Sequence, residues 1–234
     1  MLLRQLFDQE TWTYTYLLGD EESRESLLID PVIERMPCYR RLLEELDLTL
    51  RYAADTHIHA DHVTALGTLR DEFGCETLVN EHALMDCASR KLFDGEQIRV
   101  GKLVFTSIYT PGHTDDSMCL HVRENGEDYL FTGDTLFIRG TGRTDFQNGN
   151  PAHLYDSLQR LLNSYPDSTW VYPAHDYKGW TRSTLGEERL HNPRLLVADK
   201  AAFIELMNNL HLPNPKFMDV AVPANRTCGK NTKS

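Results

Sequence analysis

The segment Asp55–His62, DTHIHADH, places three histidines and two aspartates within eight residues. Neutral imidazole and carboxylate are the side chains that bind hard and borderline metal ions, so this composition points to a metal site. The alternative is a solvated polar loop. Three further segments set potential ligands directly after a strand-like run: TPGHTDDS at Thr110–Ser117, FTGDTLF at Phe131–Phe137 and YPAHDY at Tyr172–Tyr177. Loops at one edge of a sheet can converge on a single site, and Gly112 and Gly133 would let the backbone turn sharply beside it. Taken singly, PGH and TGD are ordinary turns, so the four segments matter as a set.

The elements that must carry these loops are visible as periodicity. Trp12–Leu18, Ser26–Asp30 and Thr49–Asp55 are rich in Thr, Tyr, Leu and Ile and end in Gly or Asp, which predicts strands. Pro37–Leu46 has the helical period, with Leu42, Leu43 and Leu46 on one face and charges on the other. Val63–Phe73 reads as a helix broken by Gly74, and Glu76–Asn80 as the next strand. Gln97–Val100, Leu103–Thr110, Ser117–Arg123 and Asp128–Thr132 follow as a meander, then a helix at Ala152–Leu162 and a strand at Thr169–Tyr172. This order fits an α/β protein in which two sheets pack together with helices outside. One domain over 1–234 is expected, its last part from about 185 forming a helical cap, Ala198–Leu210, and a Pro-rich irregular tail.

Bulk properties narrow the function classes. A net charge of -11 argues against a broad surface for nucleic acid or anionic membrane, since such partners demand clustered Lys and Arg. No stretch approaches the ~20 apolar residues that span a bilayer, and the N-terminus lacks a basic region followed by a continuous apolar run, so a cytoplasmic protein is expected. The five cysteines, Cys38, Cys75, Cys87, Cys119 and Cys228, are odd in number and contain no C-x-x-C pair. Neither a disulfide framework nor a thiolate zinc site is expected from them, and a reducing compartment fits best. Cys228 could serve as a sulfur carrier, but an inert small hydrophobe is the favoured reading. Met85 and Met118 read as core.

The order H-x-H-x-D-H, a later histidine, then Asp, then His resembles the metallo-β-lactamase superfamily over His57–His175. The resemblance implies a four-layered αβ/βα sandwich. In dinuclear members His57, His59 and His113 would hold one metal, Asp61, His62 and His175 a second, with Asp134 bridging. Motifs outside the metal loops, IRGTGRTDFQNG at Ile138–Gly149, YPAHDYKG at Tyr172–Gly179, EERLHNPRL at Glu187–Leu195 and VPANRTCG at Val222–Gly229, are similar to the persulfide dioxygenases. Thr141 stands where that family often has a cysteine, so no role for that thiol is carried over.

In that family one Fe(II) per chain would sit on His57, His113 and Asp134, two imidazoles and a carboxylate as in non-haem iron oxygenases. His59, Asp61, His62 and His175 would then orient ligands through hydrogen bonds. The reaction implied is oxidation of glutathione persulfide by O2 to sulfite and glutathione, with a homodimer left open. Glutathione carries two carboxylates, which bidentate guanidinium or hydroxyl donors would bind: Arg143, Tyr177 and Arg194, and less directly Arg226, Arg139 and Arg182. The competing readings are a dinuclear hydrolase of glutathione thioesters resembling glyoxalase II and a non-catalytic persulfide- or metal-binding module.

Overall fold

Alternating Thr, Tyr and Leu give residues 13–19 a strong preference for extended backbone. In the structure, a computed structural model describing residues 1–210, 212–213 and 217–230, they form a wholly buried strand. The chain divides into two compact units, the first comprising Met1–Leu92, Ile98–Val104 and the described residues from 217 onward, the second Phe93–Gln97 and Phe105–Pro213.

The first unit carries a six-stranded sheet in sequence order: β1 (Leu2–Asp8), β2 (Thr13–Gly19), β3 (Glu25–Ile29), β4 (Thr49–Ala54), β5 (Glu76–Asn80) and β6 (Arg90–Leu92). The first three strands are antiparallel and the last three join in parallel through crossovers. Helix α1 (Met36–Glu45) connects β3 to β4, and α2 (Leu66–Phe73) connects β4 to β5. Their apolar faces, Met36, Tyr39 and Leu43 on one and Leu66 and Leu69 on the other, join Leu17, Leu28, Ala53 and Val79 in one core. Each parallel strand therefore ends at the same edge of the sheet, which is where Asp30 and Asp55 lie.

The second sheet runs β12-β11-β10-β9-β8-β7, with β7 (Gln97–Val100), β8 (Leu103–Tyr109), β9 (Met118–Glu124), β10 (Glu127–Gly133), β11 (Trp170–Pro173) and β12 (Ser183–Thr184). In the second unit α3 (Pro151–Ser164) links β10 to β11, which pair in parallel. Asn150 caps it, its side chain accepting from the Ala152 and His153 amides, and Pro151 supplies the favoured first-turn residue. The apolar stripe Leu154, Leu158, Leu161 and Leu162 packs on Ile108, Leu130 and Val171, and Phe203 and Met207 close the cluster. The last two belong to α5 (Lys200–Asn208), which follows α4 (Leu185–His191). Met85 and Met118 are buried as expected. No helix among the described residues is long and apolar enough to cross a membrane.

Four expectations need correction. The N-terminal run forms β1, unanticipated because most of its residues are only half-buried and show no clear alternation. The helix expected from Val63 begins only at Leu66, because Thr64 is tied elsewhere: its amide donates to Asn225 and its hydroxyl to Asp55. The tail expected to be irregular contains α6 (Met218–Asn225), with Pro223 inside it, anchored by the burial of Ala221, Ala224 and Asn225; residues 214–216 of that tail lie outside the described residues. Finally, Cys87 and Cys228 form a disulfide across 141 residues of sequence, so Cys228 is not an inert hydrophobe. Cysteine count and spacing could not show a pair that only the fold of the first unit brings to a 6.0 Å Cα separation.

Candidate metal centre

In the first unit the segment after β4 is irregular because side chains hold its backbone. Asp30, just past β3, adopts a left-handed φ of 52° and receives the Thr56 amide at 2.7 Å and the Thr56 hydroxyl at 3.0 Å. The Thr56 proton being committed to Asp30, its oxygen accepts from His57 Nδ1–H at 3.1 Å, which leaves the His57 Nε2 lone pair for a ligand. His59 donates Nε2–H to the same Asp30 at 3.1 Å, leaving Nδ1 as its lone-pair atom. His62 donates Nδ1–H to Asp61 at 2.9 Å, and its buried Nε2 has no hydrogen-bond partner among the described residues. The rings stack in series, centroids 4.1 Å apart for His57–His59 and 4.2 Å for His59–His62. Three buried imidazoles with their protons held by acceptors behind them suit a cation, and the buried His62 Nε2, costly to leave without a hydrogen bond, points the same way.

The second unit builds its donors differently. Gly112 has φ 141°, and a Cβ there would meet the Leu154 backbone at 2.3 Å, so glycine lets α3 pack against the turn that presents His113. His113 Nδ1–H donates to the Arg143 carbonyl at 2.7 Å, again leaving Nε2 as the lone-pair atom. That nitrogen lies 3.4 Å from Asp134 Oδ2, and His175 Nε2 lies 3.6 Å from Asp134 Oδ1. These gaps exceed a hydrogen bond of ~2.7–3.2 Å. They approach the ~3.0–3.4 Å expected between two atoms that each lie about 2.1 Å from one ion at 90–109°. Asp134 Oδ1 is buried without a hydrogen bond, a second orphan acceptor that a cation would satisfy. Gly142 matters for the same reason as Gly112: a Cβ there would come within 2.3 Å of the Asp134 carbonyl and 2.8 Å of the His113 ring.

The substrate candidates fall out unevenly. Arg143 is held by both oxygens of Asp145, at 2.6 and 2.7 Å, by the Leu212 and Pro213 carbonyls, and lies over the Phe146 ring. Its guanidinium holds the Asp145 carboxyl below the usual carboxylate range. Arg194 donates Nη1 to the Thr141 carbonyl and hydroxyl, both at 2.8 Å, and faces no carboxylate there; burial lowers its pKa below the ordinary arginine value. Tyr177 is exposed and lies parallel to His175 at 6.1 Å. Arg139 is bound to Glu187 and Glu188, and Arg182 covers the Trp170 ring, so both are engaged within the unit. Arg226 belongs to the first unit and is exposed.

Three residues with a part in the site went unnoticed in the sequence. Asp30 and Thr56 orient His57 and His59; an Asp closing a strand was their one signal. Asn225, wholly buried on α6, donates to the His59 and His62 carbonyls; it lies in the VPANRTCG motif, but nothing in that motif tells its role. Among the described residues the first unit by itself offers Asp30, Asp55 and His59 as a group of metal-site composition, while the expected iron ligands are His57 in that unit and His113 and Asp134 in the second.

The sequence pattern of the metallo-beta-lactamase superfamily matches residues 13–198. The chain is 46% identical over 233 residues to persulfide dioxygenase ETHE1, mitochondrial, of Mus musculus and likewise of Homo sapiens, covering 99% of this chain and 90% of each relative. The chain belongs to the persulfide dioxygenases of the metallo-β-lactamase superfamily. The crystal structure of ETHE1 from Myxococcus xanthus superposes with a TM-score of 0.94 at 51% identity, covering 98% of this chain and all of that one. The fold is therefore the metallo-β-lactamase fold, of the α/β class expected. Where many persulfide dioxygenases carry a cysteine, Thr141 here accepts from Arg194 and donates its hydroxyl proton to the Gly142 carbonyl, a structural use of the position.

Proposed function

We propose that the chain is a mononuclear Fe(II) dioxygenase that oxidises glutathione persulfide with O2 to sulfite and glutathione. That it is a persulfide dioxygenase, an oxidoreductase, rests on the near-full-length identity to relatives of that name. The iron assignment is carried by the donor set His57, His113 and Asp134: two imidazoles whose Nδ1 protons are tied to neutral acceptors, and a carboxylate with a buried oxygen lacking a hydrogen bond. Three protein donors would leave positions on a bound Fe(II) for substrate and oxygen, which a closed four-ligand site would not. Fe(II), when bound there, supplies a redox-active centre at which a persulfide anion and O2 can be held side by side, and zinc does not.

The protein's own contribution is positional. Thr56 and the Arg143 carbonyl hold the Nδ1 protons of His57 and His113, so Nε2 is the nitrogen each ring would turn to the metal. His59, Asp61, His62 and His175 serve as the polar surround that fixes ring orientation. Arg143, Tyr177 and Arg194, with Arg226 as a weaker contributor, bind the glutathione carboxylates, which places the outer sulfur and supplies much of the rate through proximity. We place the enzyme in the cytoplasm as one catalytic domain over 1–234, a homodimer remaining open; the Cys87–Cys228 disulfide lends no support to the reducing compartment expected from cysteine usage.

A second reading, a dinuclear hydrolase of glutathione thioesters, is favoured by the group His59, Asp61 and His175 and by the partnerless His62 nitrogen. Elemental analysis of anaerobically purified protein separates the two: about one iron per chain supports the dioxygenase reading, and two metals per chain with thioester turnover supports the hydrolase.

A further inference from the structure

The Cys87–Cys228 disulfide lies where a covalent tie can act on the metal-binding loop. Cys228 follows Asn225 by one turn and holds a left-handed φ of 57°, a conformation that a non-glycine residue keeps only when its surroundings enforce it. Its carbonyl accepts from the Gly67 amide at 3.0 Å, at the start of α2. Asn225 makes three hydrogen bonds to the segment that bears the histidines: its amide nitrogen donates to the His59 carbonyl at 2.9 Å and the His62 carbonyl at 2.8 Å, and its oxygen accepts from the Thr64 amide at 2.8 Å. The end of α6 therefore clamps residues 59–64, and the bond to Cys87 fastens that end to the segment between β5 and β6. All of these groups belong to the first unit.

The two sulfurs differ in access. Cys228 is buried at 1% exposure, whereas Cys87 is only half-buried. We propose that this disulfide is an exchange site for low-molecular-weight thiols of the glutathione class, and that its redox state sets how firmly the His57–His62 loop is held. A thiolate attacks Cys87 Sγ; the new sulfur–sulfur bond forms a mixed disulfide on Cys87 as the Cys87–Cys228 bond breaks, and Cys228 leaves as a thiolate that takes a proton from solvent. A second thiol displaces Cys87, giving the small-molecule disulfide and a second protein thiol. In all, two thiols are oxidised to one disulfide and the protein disulfide is reduced to two thiols. With the tie cut, the strained turn at Cys228 relaxes, Asn225 loosens, and the loop opens more often. The remaining anchors of the tail, such as the Lys230–Asp71 ion pair, keep it from detaching altogether.

The inference stands apart from which reaction the centre performs, because its readouts are thiol count, backbone exchange and metal transfer. Metal-loaded full-length protein is equilibrated anaerobically in glutathione/glutathione disulfide mixtures, freed of small thiols, and alkylated under denaturing conditions. Three alkylatable cysteines are expected in oxidising mixtures, matching the free Cys38, Cys75 and Cys119, and five in reducing ones. Amide hydrogen exchange of residues 56–65 and metal transfer to a chelator should both quicken several-fold on reduction. Cys87→Ser, which leaves the buried Cys228 packing in place, should show the faster rates and no response to glutathione. Five alkylatable cysteines in every mixture, equal exchange and transfer rates in the two redox forms, or a Cys87→Ser variant with the rates of the oxidised protein would each overturn the proposal.

Discussion

The histidines of the first unit and the donors of the second are aimed by different means. In the first unit each histidine is aimed by a side chain: Thr56 and Asp30 behind His57, Asp30 behind His59, Asp61 behind His62. In the second unit His113 is aimed by the backbone, through the Arg143 carbonyl, and one buried oxygen of Asp134 makes no hydrogen bond. The difference also sorts the histidines by charge. His57 and His113 rest on neutral acceptors, whereas His59 and His62 rest on carboxylates, which hold those rings more tightly whether or not an ion is present. Side-chain partners thus hold the first half, and glycines that permit close approach hold the second.

The largest effects should separate the two classes of histidine. His57→Ala, His113→Ala and Asp134→Ala should each abolish metal retention, since a three-residue site that loses a member keeps too few anchors. His62→Ala and His175→Ala should retain substantial iron. Equal loss in all five, measured by elemental analysis after gel filtration, would erase the distinction and favour a dinuclear centre.

Next in size is Gly142→Ala, which acts only on the backbone-built half. Its Cβ would collide with the Asp134 carbonyl and the His113 ring, so the turn must shift and metal affinity should fall by tenfold or more, while the disulfide and the first unit stay intact. An unchanged affinity in a chelator competition would show that the second half tolerates displacement.

Arg194→Ala should raise the KM for glutathione persulfide with less effect on kcat, because a carboxylate clamp remote from the reacting sulfur contributes mostly uniform binding. The expected loss is about 1.5–3 kcal/mol, that of a charge-assisted hydrogen bond. A KM that does not change removes Arg194 from the pocket and leaves it as the support of Thr141 that its hydrogen bonds describe.

The smallest effect concerns Asp145. Arg143 holds this carboxyl below its ordinary range, so the pair is formed at neutral pH, and its contribution is lost only as pH falls through the lowered folded value. Asp145→Asn should free the guanidinium, shift KM by no more than a few-fold, and flatten the acid side of the KM–pH profile. A large fall in kcat instead would mean that Asp145 supports His113 through the Arg143 backbone.

Legibility in the sequence follows the same division. The THIHADH loop announced itself because its donors and part of their support are contiguous, and the strand–helix alternation of β3, α1, β4, α2 and β5 was readable from side-chain period. The support of His113 was silent, since a carbonyl leaves no residue type to read and the need for glycine at 142 appears only once His113 and Asp134 are folded against it. Asn225 and the Cys87–Cys228 pair were hidden for another reason: both act across more than 130 residues, where spacing carries no information. The resemblance to the persulfide dioxygenases supplied the ligand set that composition alone left open.

The central claim is that this centre activates oxygen for a persulfide. The direct measurement is oxygen uptake and sulfite formation by the same protein loaded with Fe(II) or Zn(II), with glutathione persulfide and with plain glutathione as substrates. Uptake and sulfite are expected only for the iron form with the persulfide, glutathione lacking the outer sulfur that leaves as sulfite. Full activity in the zinc form, or rapid thioester hydrolysis without oxygen uptake, would contradict it.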